Sequence, residues 1–158
     1  TLFGIPSLLV DLANYCKSHE VVIEIDKIFY AGEKITDMQL NLFKSVWNVK
    51  SVYSAGYASV DVGPIGYQTQ DCRLNEHYLL DGLNLEVIDG EAIVSSTIRK
   101  SMPVVRYKTG DKVEIIPHSD KVKFRLVGRV DDMVYIWGSR ISLSVWSQQC
   151  LNSKTQQF

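Results

Sequence analysis

The turn signals along this chain change character near residue 75, and this change restricts the folds open to it. In the first part, apolar strands alternate with amphipathic helices across short loops, which is the pattern of βαβ units in a parallel sheet. In the second part, Asp81-Gly82 and Asp89-Gly90 separate short alternating runs, which is a strong signal for antiparallel hairpins. The sequence therefore predicts an α/β (α+β) fold, with a small βαβ unit followed by an antiparallel, barrel-like β unit.

The first unit, residues 1–75, is predicted to contain two helices and two strands. Pro6 suits the first turn of a helix, and apolar residues recur at helical spacing from there to about His19. Thr36 and Gln39 have the pattern of a capping box before a second helix, which runs to about Asn48. The strands are predicted in apolar, β-branched stretches that close on glycine turns, Val21 to Tyr30 and Val49 to Ala55.

The second unit, residues 76–130, is predicted to be built from short strands, and a third unit covers residues 131–158. The strands of the second unit are predicted at 77–80, 83–89, 91–97, 104–107, 112–116 and 123–127. In the third unit, 133–137 and 139–143 are predicted to form a truncated C-terminal β-hairpin. A polar, Gln-rich tail follows, which is too short to add a core.

Composition and charge argue against several classes of function. The 158 residues are 46% hydrophobic and 22% charged, with 17 basic and 18 acidic residues and a formal net charge of −1. This balance gives no electrostatic reason to expect binding to nucleic acid or to an anionic membrane. The apolar stretches are too short for a bilayer span, and three widely spaced cysteines form no disulfide framework. We therefore expect a cytoplasmic protein that binds neither nucleic acid nor a membrane.

Three segments carry residues that are typical of a nucleotide site. Arg106-Tyr107-Lys108-Thr109-Gly110-Asp111 is predicted to end a strand with a carboxylate held in a tight turn. Gly128-Arg129-Val130-Asp131-Asp132 places an arginine and two acids where the next strand breaks, and Tyr57-Ala58-Ser59-Val60-Asp61 lies upstream. A carboxylate can accept hydrogen bonds from two adjacent hydroxyls, as in a ribose diol. Thr-Gly-Asp alone fits at least as well a turn aspartate that caps its own backbone.

In this order the three segments resemble the nucleotide-binding core of the AMP-forming acyl-CoA ligases, and they are most similar to the phenylacetate-CoA ligase branch. The resemblance covers about residues 1–143. It implies the C-terminal part of the large ligase domain, followed by the start of the small domain. It also implies that Asp111 binds the ribose hydroxyls of ATP or AMP and that Arg129 lies beside the ribose and the phosphate. Asp131 would be the hinge about which the small domain rotates.

The same resemblance assigns roles to the other candidate residues. Tyr57 would pack near the adenine, and Asp61 would hold Mg²⁺ where the family has a glutamate, although an aspartate reaches less far. Val60 stands where the family has a threonine that contacts the phosphate, so this contact is lost. Gly32-Glu33 resembles the end of the Gly-Gly-Glu loop that lines the adenine pocket, where glycine lets the backbone approach the base.

A zinc site is a weaker alternative. Cys72 and His77 are separated by four residues, and some relatives of phenylacetate-CoA ligase also carry Cys and His in this stretch. Tetrahedral zinc needs four ligands, and the spacing of Cys16 and Cys150 nominates neither of them. We expect instead a packed cysteine and a surface histidine.

Two parts that adenylation requires in this family have no counterpart in the sequence. No segment matches the Ser/Thr/Gly-rich phosphate loop followed by lysine, and Lys154 lacks the context of the catalytic lysine. The intact family joins an aryl or other carboxylic acid to AMP and then to CoA. We therefore expect a truncated relative that is inactive alone and acts with a complementary ligase fragment. The alternative is a non-catalytic assembly module that forms homo-oligomers, with the Trp137 and Trp146 segment exchanged between copies.

Overall fold

The chain folds into a small parallel sheet with two helices and a larger antiparallel sheet. The computed structural model describes residues 1–98, 100, 102–118, 120–131, 133–136 and 139–142. The predicted exchange of the Trp137 and Trp146 segment lies outside the described residues, as do Asp132, Cys150 and Lys154.

The parallel sheet confirms the βαβ pattern predicted for the first part of the chain. Its strands are β1 (Leu2–Gly4), β2 (Lys27–Tyr30) and β3 (Ser51–Ser54), in that spatial order and all parallel. Helix α1 (Pro6–Ser18) connects β1 to β2, and helix α2 (Asp37–Trp47) connects β2 to β3. Both helices therefore form the crossovers that parallel strands need.

The ends of α2 follow from local chemistry that the sequence makes visible. The Thr36 hydroxyl accepts a hydrogen bond from the Gln39 backbone N–H at 3.2 Å, and the Gln39 side chain accepts one from the Thr36 N–H at 2.9 Å. This capping box confirms the prediction. The helix stops at Asn48, which adopts a left-handed conformation with φ of 49° that asparagine tolerates.

The strand predicted over Val21 to Tyr30 is wrong in its first half. Strand β2 begins only at Lys27, and the side chain of Val22 is 91% exposed. Lys27 pairs with Ser51, the first residue of β3. The length of β2 is therefore set by the residues available for pairing on β3, and the apolar character of residues 21–25 does not extend it.

The antiparallel sheet is an open sheet of seven strands, and it confirms the hairpin predicted at Asp89-Gly90. The hairpin predicted at Asp81-Gly82 is wrong, because the strands on either side of that turn are not paired with each other. The strands are β4 (Tyr57–Ser59), β5 (Gly63–Tyr67), β6 (Glu76–Leu79), β7 (Leu83–Ile88), β8 (Glu91–Ser96), β9 (Val104–Ile116) and β10 (Lys123–Arg129). Their spatial order is β4-β5-β6-β10-β9-β8-β7, which does not close into a barrel. The predicted C-terminal hairpin is present as β11 (Met133–Ile136) paired with β12 (Ser139–Ser142).

Each sheet has its own hydrophobic core. The first core packs buried residues of both helices, such as Ala13, Phe43 and Trp47, against Ile28 of β2. The second core contains Phe124 and is formed on the antiparallel sheet. Among the described residues, no helix is both long enough and apolar enough to cross a membrane.

Candidate functional site

A cleft of about 360 Å³ lies where the two sheets meet. The loops after β2 and β3 form one side, and strands β4, β6, β9 and β10 form the other. Loops at the carboxyl ends of parallel strands are the usual place for ligands in open α/β sheets. The lining residues are Tyr30, Ala31, Gly32, Glu33, Lys34, Ser54, Gly56, Tyr57, Ala58, Asn75, His77, Asp111, Leu126, Gly128 and Arg129.

Most of the candidate residues chosen from the sequence line this cleft. They are Gly32, Glu33, Tyr57, Asp111 and Arg129.

Asp61 and Asp131 are not among the residues that line the cleft. Asp61 lies in the turn between β4 and β5, where it accepts a hydrogen bond from the Tyr107 hydroxyl. Asp131 is exposed in the turn after β10, and its hinge role stays a prediction.

Asp111 is held from both sides within the cleft. The Tyr57 hydroxyl donates to its Oδ2 at 2.7 Å, and Arg129 Nη1 donates to its Oδ1 at 3.1 Å. Burial raises the pKa of Tyr57 well above its usual value, and the neighbouring Asp111 carboxylate raises it further. The tyrosine therefore keeps its proton and remains a donor to the carboxylate at neutral pH.

The tight turn predicted at Asp111 is wrong. Strand β9 runs without a break through Thr109-Gly110-Asp111, and the two strands predicted at 104–107 and 112–116 are one. The pairing of β8 with β9 shifts between Glu91 and Ile93, and Gly110 takes a positive φ of 74°. The irregular pairing accommodates the positive φ of Gly110, so the strand continues through Thr-Gly-Asp and does not end there.

Glu33 has a structural partner that the sequence did not reveal. Its carboxylate accepts hydrogen bonds from the Ser7 N–H at 3.1 Å and the Ser7 hydroxyl at 3.0 Å. Ser7 lies in the first turn of α1, and the N-cap residue Ile5 has no side chain that can cap. Glu33 thus supplies from a distance the acceptor that an N-cap normally provides. The absence of a capping side chain at Ile5, just before Pro6, is the sequence feature that could have indicated this contact.

His77 is at the floor of the cleft and is not the surface histidine that was predicted. Its side chain is 1% exposed, and burial lowers its pKa to about 4. Nδ1 lies 3.1 Å from the Asn75 carbonyl, and Nε2 lies 2.9 Å from the Ser54 hydroxyl. The neutral ring thus donates from Nδ1 and accepts at Nε2. Both ring nitrogens have partners within the protein, and these contacts give the zinc alternative no support.

Asn75 joins the two sheets beneath the cleft. Its Oδ1 accepts hydrogen bonds from the Tyr30 hydroxyl at 3.2 Å and the Ile35 N–H at 3.1 Å, and its Nδ2 donates to the Ile35 carbonyl at 2.8 Å. Its backbone carbonyl also accepts from the Leu126 N–H. Asn75 has φ of 61°, a conformation that asparagine adopts more readily than most residues. It fixes the loop after β2 against β6 and β10.

Comparison with models of known protein families gives no match for this chain. A search of curated proteins finds the indoleacetate–lysine synthetase of Pseudomonas savastanoi, which is 24% identical over 148 residues. The match covers 93% of this chain but 38% of that protein. The chain thus spans well under half the length of this relative.

Solved structures of acid ligases have the same fold. A 2-hydroxyisobutyryl-CoA ligase in the post-adenylation state, in complex with an AMP derivative, superposes with a TM-score of 0.66 at 20% identity. The match covers 90% of this chain and 35% of that one. The coronafacic acid ligase of Pectobacterium brasiliense gives a TM-score of 0.60 at 16% identity, with coverage of 89% and 31%.

The likeness to these structures extends across both sheets, since it covers about nine tenths of the chain. It does not single out the phenylacetate-CoA ligase branch. Together with the partial match to the curated relative, this likeness shows that the chain has part of the fold of these acid ligases.

Proposed function

We propose that this chain forms the adenosine-binding core of an adenylate-forming ligase that activates a carboxylic acid with ATP. The observation that carries the proposal is the position of Asp111 in the cleft, between the Tyr57 hydroxyl and the Arg129 guanidinium. A carboxylate there can accept hydrogen bonds from a ribose diol. An adjacent guanidinium can donate to phosphate oxygens.

The opposite side of the cleft fits the base of the nucleotide. Gly32 has φ of 84°, and an added Cβ would approach no atom closer than 3.9 Å. The backbone of Ala31 and Gly32 is thus open to a planar ring. Glu33 is committed to α1, so we assign it to holding this loop in place. Tyr57 we assign to the ribose side.

We assign Mg²⁺ to Asp61, as a site shared with the nucleotide. Asp61 offers one carboxylate, and the described part of the chain contains no group of three or more His, Cys, Asp or Glu that could hold a metal ion. Mg²⁺ is commonly held by one or two carboxylates together with substrate phosphates and water. Asp61 would therefore hold the cation when the nucleotide supplies its phosphates, and Mg²⁺ would supply positive charge beside them.

The finer assignments follow from the resemblance and the named relatives. The partner substrate would be an aryl or other carboxylic acid, as the name of indoleacetate–lysine synthetase suggests for that protein. CoA is a second partner by analogy with 2-hydroxyisobutyryl-CoA ligase. We retain the phenylacetate-CoA ligase branch, the unit boundaries near residues 75 and 130 and the Asp131 hinge as parts of this proposal.

Nucleotide binding to the purified 158-residue chain tests the proposal. Saturation-transfer NMR with millimolar AMP should transfer magnetisation to the ribose protons, and ATP should bind about as weakly, because only the adenosine and adjacent phosphate are held. Asp111→Ala should abolish the signal. Asp26→Ala is the matched control, since Asp26 is an exposed acid paired with Lys50 far from the cleft. AMP binding that survives Asp111→Ala would refute the ribose assignment.

Catalysis by this chain alone is not expected. The sequence has no Ser/Thr/Gly-rich phosphate loop followed by lysine, so the charge that develops on the triphosphate would lack its donors. Exchange of pyrophosphate into ATP, measured with aryl and aliphatic acids, should stay at background. Reproducible exchange would show that other residues replace the loop.

An assembly role is the second candidate, and the outer face of α1 favours it. Leu8 and Tyr15 on this helix are 61% and 55% exposed, and Phe3 on the edge strand β1 is 66% exposed. Large exposed apolar groups at a sheet edge commonly mark interaction surfaces. Sedimentation at micromolar concentration should show a dimer that Leu8→Gln weakens. A monomer at every concentration would remove this candidate.

A further inference from the structure

Both oxygens of the Asp111 carboxylate have partners in the cleft, although a ribose diol would need to bind there. Oδ2 accepts from the Tyr57 hydroxyl at 2.7 Å, and Oδ1 accepts from Arg129 Nη1 at 3.1 Å. The side chain of Asp111 is 16% exposed, so little of it remains open to another donor. Each carboxylate oxygen can accept a second hydrogen bond, but the small exposed area leaves a diol little room to reach both oxygens unless one of these two partners moves away.

We infer that the ribose displaces Arg129 from Oδ1 while Tyr57 stays on Oδ2 as the positioning residue for Asp111. This inference rests on the proposed function. It gives the two partners opposite effects on affinity, because Tyr57 would assist ribose binding and Arg129 would compete with it.

The surroundings of Tyr57 explain why it stays. Tyr57 is 7% exposed, and its ring packs edge-on against Phe124 with centroids 5.8 Å apart. The Thr109 hydroxyl accepts from the Asp111 backbone N–H at 3.1 Å and donates to the Ala92 carbonyl at 3.1 Å, which holds the strand beneath the carboxylate. Moving Tyr57 would disturb the packed core, so its hydroxyl is a fixed donor.

The surroundings of Arg129 explain why a bound ribose would displace it from Asp111. Its side chain is 56% exposed, and it lies across Gly110, where an added Cβ would be 3.1 Å from Nη2. Ion pairs with an exposed partner are weak, because water competes for both charges. Arg129 is also the last residue of β10, two residues before Asp131. Once released, its guanidinium is free to donate to the phosphate of the nucleotide.

Two variants of the full chain separate the two roles by NMR titration with adenosine, 2′-deoxyadenosine and AMP. Tyr57→Phe should weaken adenosine about tenfold and weaken 2′-deoxyadenosine less, so the preference for the diol falls. Arg129→Gln should tighten adenosine about two- to fivefold. The same variant should remove the advantage of AMP over adenosine, because the phosphate loses its donor.

The controls remove equivalent groups elsewhere. Tyr67→Phe deletes a hydroxyl that contacts Lys121, and Arg106→Gln deletes a guanidinium that is 60% exposed and paired with Glu86. Both should leave all three affinities unchanged.

The outcomes also separate this inference from the proposed function. If Asp111→Ala abolishes adenosine binding but Arg129→Gln weakens it, Arg129 assists the ribose and the inference is wrong. If Tyr57→Phe leaves the preference for the diol unchanged, Tyr57 does not position Asp111. If Asp111→Ala has no effect on adenosine, the proposed function itself fails.

Discussion

The buried histidine beneath the cleft should make the stability of this protein depend on pH between 7 and 5. His77 is held neutral, with one ring nitrogen donating to the Asn75 carbonyl and the other accepting from Ser54. Protonation would place a charge among Phe124, Tyr57 and other core groups, and it would remove the acceptor for Ser54. Unfolding frees the ring to take up a proton in water.

The sign and size of the effect follow from the pKa of His77. Burial lowers it from 6.5 to about 4, so the unfolded chain binds more protons than the folded chain below pH 6.5. The stabilisation is therefore present above this pH and is lost as the pH falls toward 4. Between pH 7 and pH 5 the linkage relation gives a loss of about 2 kcal/mol in the free energy of unfolding. Carboxylates with usual pKa values near 4 titrate mostly below this window.

Urea unfolding followed by tryptophan fluorescence at pH 7, 6 and 5 measures this loss. His77→Asn keeps a donor near the position of Nδ1 but cannot titrate, so it removes the dependence on His77 whatever it costs in packing. His19 and His118 are present in both proteins, and the difference between the two slopes thus isolates His77. A parent protein whose stability is flat from pH 7 to pH 5, or a variant with the same slope, would refute the reasoning.

Three further substitutions test the packing around the site by urea unfolding. Glu76→Gln should destabilise by about 3 kcal/mol, because its buried carboxylate pairs with two basic residues, whereas the exposed Glu114→Gln should change stability by at most about 0.5 kcal/mol. Gly110→Ala and Gly90→Ala should each cost about 1 kcal/mol, because both glycines have positive φ and the atoms near the added Cβ of Gly110 belong to the exposed end of Arg129, which can move. Glu33→Ala should cost about 1 kcal/mol, because it removes the acceptor that caps α1. Equal costs for Glu76→Gln and Glu114→Gln, a cost for Gly110→Ala well above that of Gly90→Ala, or no loss for Glu33→Ala would contradict these assignments.

The sequence predicts the fold well where local chemistry decides the structure. Pro6 and the Thr36 capping box set the starts of both helices, and the Asp-Gly turns set the β7–β8 hairpin and the turn after β6. The sequence predicts the fold poorly where the pairing of a strand with its neighbours determines the structure. Strand β2 is shorter than its apolar stretch because β3 offers partners only from Ser51 onward. The Thr-Gly-Asp segment continues as a strand because β8 and β10 pair with β9 on both sides.

The candidate site shows the same division between local and long-range information. Tyr57 and Asp111 were chosen from separate sequence motifs. Nothing in the sequence predicts the hydrogen bond between them, since 54 positions separate the two residues. Asn75 and His77 were not chosen as site residues. All four residues of β6 are buried, so the alternation that usually marks an inward side chain is missing there.

Buried hydrogen bonds beneath the cleft connect the two sheets. Asn75 bonds to Tyr30 and Ile35 on the side of the parallel sheet and to Leu126 on the side of the antiparallel sheet. His77 bonds to Ser54 at the end of β3. Because these buried bonds fix one sheet against the other, the loop that we assign to the base keeps a constant relation to Asp111. Arg129, at the exposed end of β10, is outside this network. A ligand can therefore move the arginine without disturbing the groups that hold the cleft in shape.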